Sequence, residues 1–168
     1  MLFETTVTPF IKTLSNLTQM IEKGEAYAET KKFEMDVLLN SRLAPDQLNF
    51  IRQIHIACDT AKLGASRLTG KEAPSHADTE KTVAEVKERI SSTISYLKTF
   101  TAKDFDGAEI KHVTTPRWEG QYLTGFEYAQ HHVIPNFYFH ITTAYSILRH
   151  NGVDIGKKDF LGALPFKK

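Results

Sequence analysis

The stretch Pro135 to Gly152 constrains this chain more than any other, because it specifies both ends of a helix and gives that helix a buried face. Pro135 suits a first helical position, where its missing N–H costs nothing and its fixed φ is already helical. Asn151-Gly152 supplies the left-handed residue that closes a helix C-terminus. Between them Phe137, Ile141, Ala144 and Leu148 recur at intervals of three and four, so they share one face. His140 lies on that apolar stripe, and Asn136 stands one turn before it on the same side. A titratable ring and an amide aimed into an apolar interior are the strongest functional signal in the sequence.

Three more amphipathic helices precede it. Phe3, Val7, Phe10, Ile11, Leu14, Leu17 and Ile21 predict a first helix over residues 2–22, ended by Gly24. Residues 25–44 read as a crossover loop holding a short helix or turn. Pro45-Asp46-Gln47 is a helix-start signal, and Ile51, Ile54, His55, Cys58, Ala61, Ala65 and Leu68 line one face up to Gly70. His55 is inside that stripe, and Asp59, four residues on, is its neighbour on the helix surface. Asp78 reads as the N-cap of a third helix running to about residue 103, with Glu80, Lys81, Glu85, Lys87, Glu88 and Arg89 on a solvated outer face. Residues 110–115 and 121–124 form a small antiparallel hairpin with Trp118 at its tip. Gly125 to Val133 leads helically into the fourth helix, bent at Pro135. Ile155, Phe160 and Leu161 in the tail fold back over the core. The prediction is one all-α domain over residues 1–168: a four-helix bundle with a long first crossover and a small β-hairpin before the last helix.

Bulk properties narrow the class. A hydrophobic fraction of 41% with 24% charged residues is that of an ordinary soluble chain. Net charge is +1 and the basic residues are scattered, which argues against a nucleic-acid surface. No apolar run approaches the roughly 18 residues of a membrane span, and the N-terminus lacks a signal-peptide pattern. A single cysteine, Cys58, excludes an intrachain disulfide and fits a cytoplasmic location.

The run from Gly125 to Gly162, above all Pro135 to Gly152 and Gly156-Lys157-Lys158-Asp159-Phe160-Leu161-Gly162, resembles the DUF1993 family. The run His55 to Lys62 resembles that family's second-helix motif. The resemblance implies membership of the DinB/YfiT-like metalloenzyme group, four-helix bundles often found as homodimers. In that group a divalent metal, zinc or nickel among others, is held by one histidine from the second helix and two from the fourth. His55 matches the first position, and His140, twelve residues before Gly152, matches the last. The remaining position falls on Asn136, so the implied ligand set His55, His140, Asn136 is incomplete.

Two imidazoles with an amide oxygen or Asp59 can bind a borderline metal with an open position for water. A neutral amide is a weak ligand, however, and the bland alternative is a hydrogen-bonded polar pocket of His55, Asp59, Asn136, His140 and Tyr128. The reading adopted is a DinB-like protein with a degenerate metal site that serves as a small-ligand or interaction protein, with no cofactor and no assigned catalytic residue. The competing reading is a metal-dependent hydrolase or thiol transferase using His55 and His140. Of the other candidates, His150 caps a helix end, His131 and His132 are not placed on a common face, and Cys58 is a small buried apolar residue.

Overall fold

A computed structural model describes residues 1–167. The chain opens with a single turn, α1 (Leu2–Thr5), which breaks at Thr6 before the long helix α2 (Val7–Lys31). Gly24 does not end this helix as expected. It is buried at mid-helix, where an added Cβ would sit 3.4 Å from Met35 and 3.6 Å from Leu148, so its smallness lets neighbours close in. The helix instead stops at Lys32, which takes a left-handed φ of 60°. There the amide of Phe33 returns to the Ala28 carbonyl and that of Lys32 to Glu29, a Schellman closure that satisfies the end carbonyls.

A short helix α3 (Asp36–Asn40) lies in the crossover, as the sequence indicated. The next helix, α4 (Phe50–Thr69), starts later than Pro45-Asp46-Gln47 implied. Asn49 caps it by accepting from the Arg52 amide at 3.2 Å, and the Phe50 amide is anchored on the Ser41 carbonyl at 2.9 Å. Gly70, at φ 89°, closes it.

Helix α5 spans Val83–Leu97, shorter than expected at both ends. Its N-cap is Thr82, not Asp78, because Thr82 and Glu85 form a reciprocal capping box. Residues 78–81 are thereby released as a loop.

The two-stranded sheet is present, with β1 (His112–Val113) antiparallel to β2 (Leu123–Thr124) in the register Val113 opposite Leu123. Helix α6 (Gly125–Tyr128) follows, then a π turn over Ala129–Val133, then α7 (Ile134–His150). The wider turn ends just before Pro135, where the missing N–H would otherwise break an ordinary i→i−4 ladder.

Helix α4 packs against both α7 and α5, while α2 packs against α5, α7 and α4. Phe10 of α2 stacks on Phe137 of α7 with ring centroids 4.0 Å apart. Phe137, Ile141, Ala144 and Leu148 are all buried, as the periodicity of α7 requires. The last helix, α8 (Lys157–Leu161), lies on α2, held by Asn16 donating to the Phe160 carbonyl and by a Lys23–Asp159 ion pair. Ile155 is buried and Phe160 half-buried, but Leu161 faces outward, because it lies on the side of this single turn away from α2. Among the described residues, no helix is long and apolar enough to cross a membrane.

Candidate functional site

Helix α4 sends two polar side chains into the structure from different sides. Gln53 and His55 are two residues apart, which on an α-helix separates them by about 200°. Gln53 faces α7, where its Oε1 accepts from His140 Nδ1 at 2.7 Å while its Nε2 donates to the Leu48 carbonyl. His55 faces the 78–81 loop. His140 and Asn136, which the family pattern groups with His55, make their hydrogen bonds to other partners. His140 engages Gln53 through Nδ1, and Asn136 Nδ2 donates to the Thr60 hydroxyl at 2.6 Å.

What meets His55 is a pair of carboxylates. Asp78 adopts a left-handed φ of 54°, which turns its side chain inward, and Glu80 follows two residues later. Glu80 Oε2 lies 2.9 Å from His55 Nε2, and Asp78 Oδ1 lies 4.0 Å from His55 Nδ1. One ligand-type atom from each of His55, Asp78 and Glu80 falls within 4.8 Å of the other two. The three open onto a cavity of about 410 Å³ bordered also by Arg52 and Asn40.

Arg89, on α5, closes the cluster from behind. Its side chain is 0% exposed, and its guanidinium reaches Asp59 at 2.8 Å, Glu80 Oε1 at 3.0 Å and Asp78 Oδ1 at 3.1 Å. Arg89 is thus a buried bridge and not part of the solvated face that α5's charge pattern suggested. Arg52 completes the set by donating to Asp78 Oδ2 at 3.2 Å. Asp59, expected beside His55, turns instead to Arg89 and to Lys62, 2.9 Å away.

Four shielded atoms in this cluster lack a directed hydrogen bond: His55 Nε2, Asp78 Oδ1, Glu80 Oε2 and Arg89 Nε. Buried polar groups are normally satisfied, so this concentration of exceptions sets the cluster apart, even though Asp78 Oδ1 keeps its ion pair with Arg89. Burial pushes the His55 imidazole below its ordinary value against the pull of Glu80 and Asp78, which favours the neutral ring a metal would need. Burial alone tends to raise the Asp78 carboxyl, but His55, Arg89 and Arg52 together hold it below the usual carboxylate range.

The remaining candidates have other partners. Tyr128 is buried, accepts from Arg67 at 3.0 Å and stacks on His132. Cys58 is buried and its thiol is pushed up to about 12 by desolvation, so it is not a thiolate. His76 joins Ser92 to Lys62, at 3.2 Å and 2.8 Å, in an arrangement that superficially suggests an activated serine. Lysine only donates, so His76 Nδ1 must accept and its proton sits on Nε2, facing Ser92. That tautomer cannot take a proton from the serine.

Asp78, Glu80 and Arg89 were missed by sequence reasoning. The Thr82-Val83-Ala84-Glu85 capping box was the available signal, since it begins α5 at residue 83 and frees the acids before it.

The fold and the cluster define a mostly helical protein with a His–Asp–Glu group able to hold a metal ion. A crystal structure of a DinB family member protein from Shewanella denitrificans is 58% identical to this chain, with a TM-score of 0.97 over 100% of this chain and 96% of that one. The chain belongs to the DUF1993 family, a domain of unknown function, whose model matches residues 2–161. No curated protein is significantly similar.

Proposed function

We propose that this DUF1993 protein binds a divalent cation through His55, Asp78 and Glu80. The observation that carries the reading is the convergence of one ligand-type atom from each of His55, Asp78 and Glu80 within 4.8 Å of one another, in a cluster whose shielded atoms lack directed hydrogen bonds. Two donors each about 2.1 Å from one ion are about 3.0–3.4 Å apart, close to the 2.9 Å between His55 Nε2 and Glu80 Oε2. One imidazole and two carboxylates suit zinc or manganese better than a soft metal. His55 Nδ1 lies 3.4 Å from the Arg52 guanidinium, which can only donate, so Nδ1 accepts there. Such an ion, when bound, supplies Lewis acidity and an acidified water. His55, Asp78 and Glu80 hold and orient it, while Arg89 fixes both carboxylates from behind.

One observation favours a second reading, a metal-free polar network. Arg89 already touches Asp59, Asp78 and Glu80 and neutralises much of their charge. In this reading the protein remains the small-ligand or interaction protein expected from the family pattern. On the same family grounds we take the protein to be a four-helix-bundle, cytoplasmic homodimer, which light scattering on the purified protein tests.

Calorimetric titration of chelator-stripped protein with zinc and with manganese separates the two readings. One saturable site that disappears in His55→Ala and in Glu80→Gln supports the metal centre. Absence of saturable binding to the folded protein leaves the salt-bridge network.

A further inference from the structure

A second cavity, a groove of about 520 Å³, runs between the outer face of α4 and the Thr115–Trp118 segment. Its size is that of a small-molecule site. One wall is aromatic: the Trp118 ring lies 5.9 Å from Tyr128 and 5.8 Å from His132, edge-on to both, and the last two stack at 5.4 Å. This wall is built where α6 passes into the π turn, and π turns recur at functional sites.

The charges along the groove do not cancel. Asp59 is taken up by Lys62 and Arg89, at 2.9 Å and 2.8 Å, and Asp78 by Arg89 and Arg52, at 3.1 Å and 3.2 Å. Among the described residues Arg67 has only a neutral partner, the Tyr128 hydroxyl at 3.0 Å. Arg117, exposed on the opposite lip, has no acidic partner among the described residues. Two uncommitted guanidinium groups therefore flank an aromatic wall.

We propose that this groove binds a small planar ring bearing a carboxylate or phosphate, with the ring against Trp118 and the anion between Arg67 and Arg117. Guanidinium forks match both anions bidentately, and a flat ring is held by an aromatic face at low entropic cost. The groove does not depend on an ion at His55, since its uncommitted groups lie outside that cluster.

Trp118 is the sole tryptophan, so its emission reports on the groove directly. Adenosine 5′-monophosphate and benzoate serve as phosphate and carboxylate probes, and cyclohexanecarboxylate as a non-planar anion of similar size. Saturable quenching by at least one planar probe is expected, with affinity lowered about tenfold in Arg117→Gln and clearly weaker binding of cyclohexanecarboxylate. The stronger of the two planar probes identifies the anion. Arg67→Gln also removes the Tyr128 contact, so if that variant fails to fold, the exposed Arg117→Gln decides. No saturable response to either planar probe overturns the proposal, as does unchanged affinity in Arg117→Gln or equal binding of the non-planar acid.

Discussion

His55 Nε2 and Glu80 Oε2 face each other at 2.9 Å across the space between α4 and the loop before α5, without a directed hydrogen bond between them. That relationship exists because the α5 cap lies at Thr82, leaving Glu80 in the preceding loop free to reach α4. Arg89 supports it from below and is the cluster's main electrostatic constraint.

Replacing Arg89 with methionine removes the only buried cation that touches Asp59, Asp78 and Glu80 together. Breaking a buried pair from one side costs about 3–5 kcal/mol, and the partial exposure of Asp59 and Asp78 places this case near the lower figure. Urea unfolding of Arg89→Met is expected to show a loss of about 3 kcal/mol. A loss below about 1 kcal/mol, the range of surface ion pairs, would show that the bridge is not stabilising.

Cys58 is wholly buried, with its thiol pushed up to about 12. Native protein at neutral pH is expected to resist a thiol-reactive reagent and to react fully once unfolded in denaturant. Rapid stoichiometric labelling of the folded protein would restore a thiol-based chemistry.

Burial pushes the imidazole of His140 below its ordinary 6.5, and burial is likewise the main cause that lowers His76 and His132. A depressed base is neutral in the folded chain while the unfolded chain takes the proton. Stability is therefore fully present above about pH 7, falls as pH drops through the unfolded value, and levels off below the folded ones. Each such proton contributes up to about 1.4 kcal/mol per pH unit in that window. His140→Gln is expected to give a shallower decline between about pH 7.5 and 5.5, and an unchanged slope would remove His140 as a contributor.

Gly64 on α4 faces Val133, the last residue of the π turn, so closely that an added Cβ would sit 2.7 Å from a valine methyl. Overpacking of this kind costs about 1–3 kcal/mol. Gly64→Ala is expected to lose stability in that range, and Val133→Ala in the same chain is expected to restore part of it. Independent, additive losses in the double variant would show that the two positions do not share one contact.

The long helices were readable because their apolar periodicity is regular. The buried set of α7, the Gly70 closure and the short hairpin all follow from local pattern. Gly24 misled because a glycine that ends a helix and one that admits close neighbours look alike until Leu148 and Met35 are in place. The site was harder for a different reason. His55 and Gln53 both belong to a buried region of α4, and nothing local says which of them faces α7 and which faces the 78–81 loop. Arg89 was misassigned because a buried guanidinium and a solvated one share the same spacing, and only the three carboxylates converging on it distinguish them.

The π turn before Pro135 inserts, in effect, one surplus residue into an otherwise continuous rod. Every side chain ahead of it is offset by about 100° from the phase that α7 alone would dictate. Shortening Ala129–Val133 by a single residue would leave the helix intact yet swing Tyr128 away from Trp118, so the length of this one segment acts as an angular setting for the groove wall.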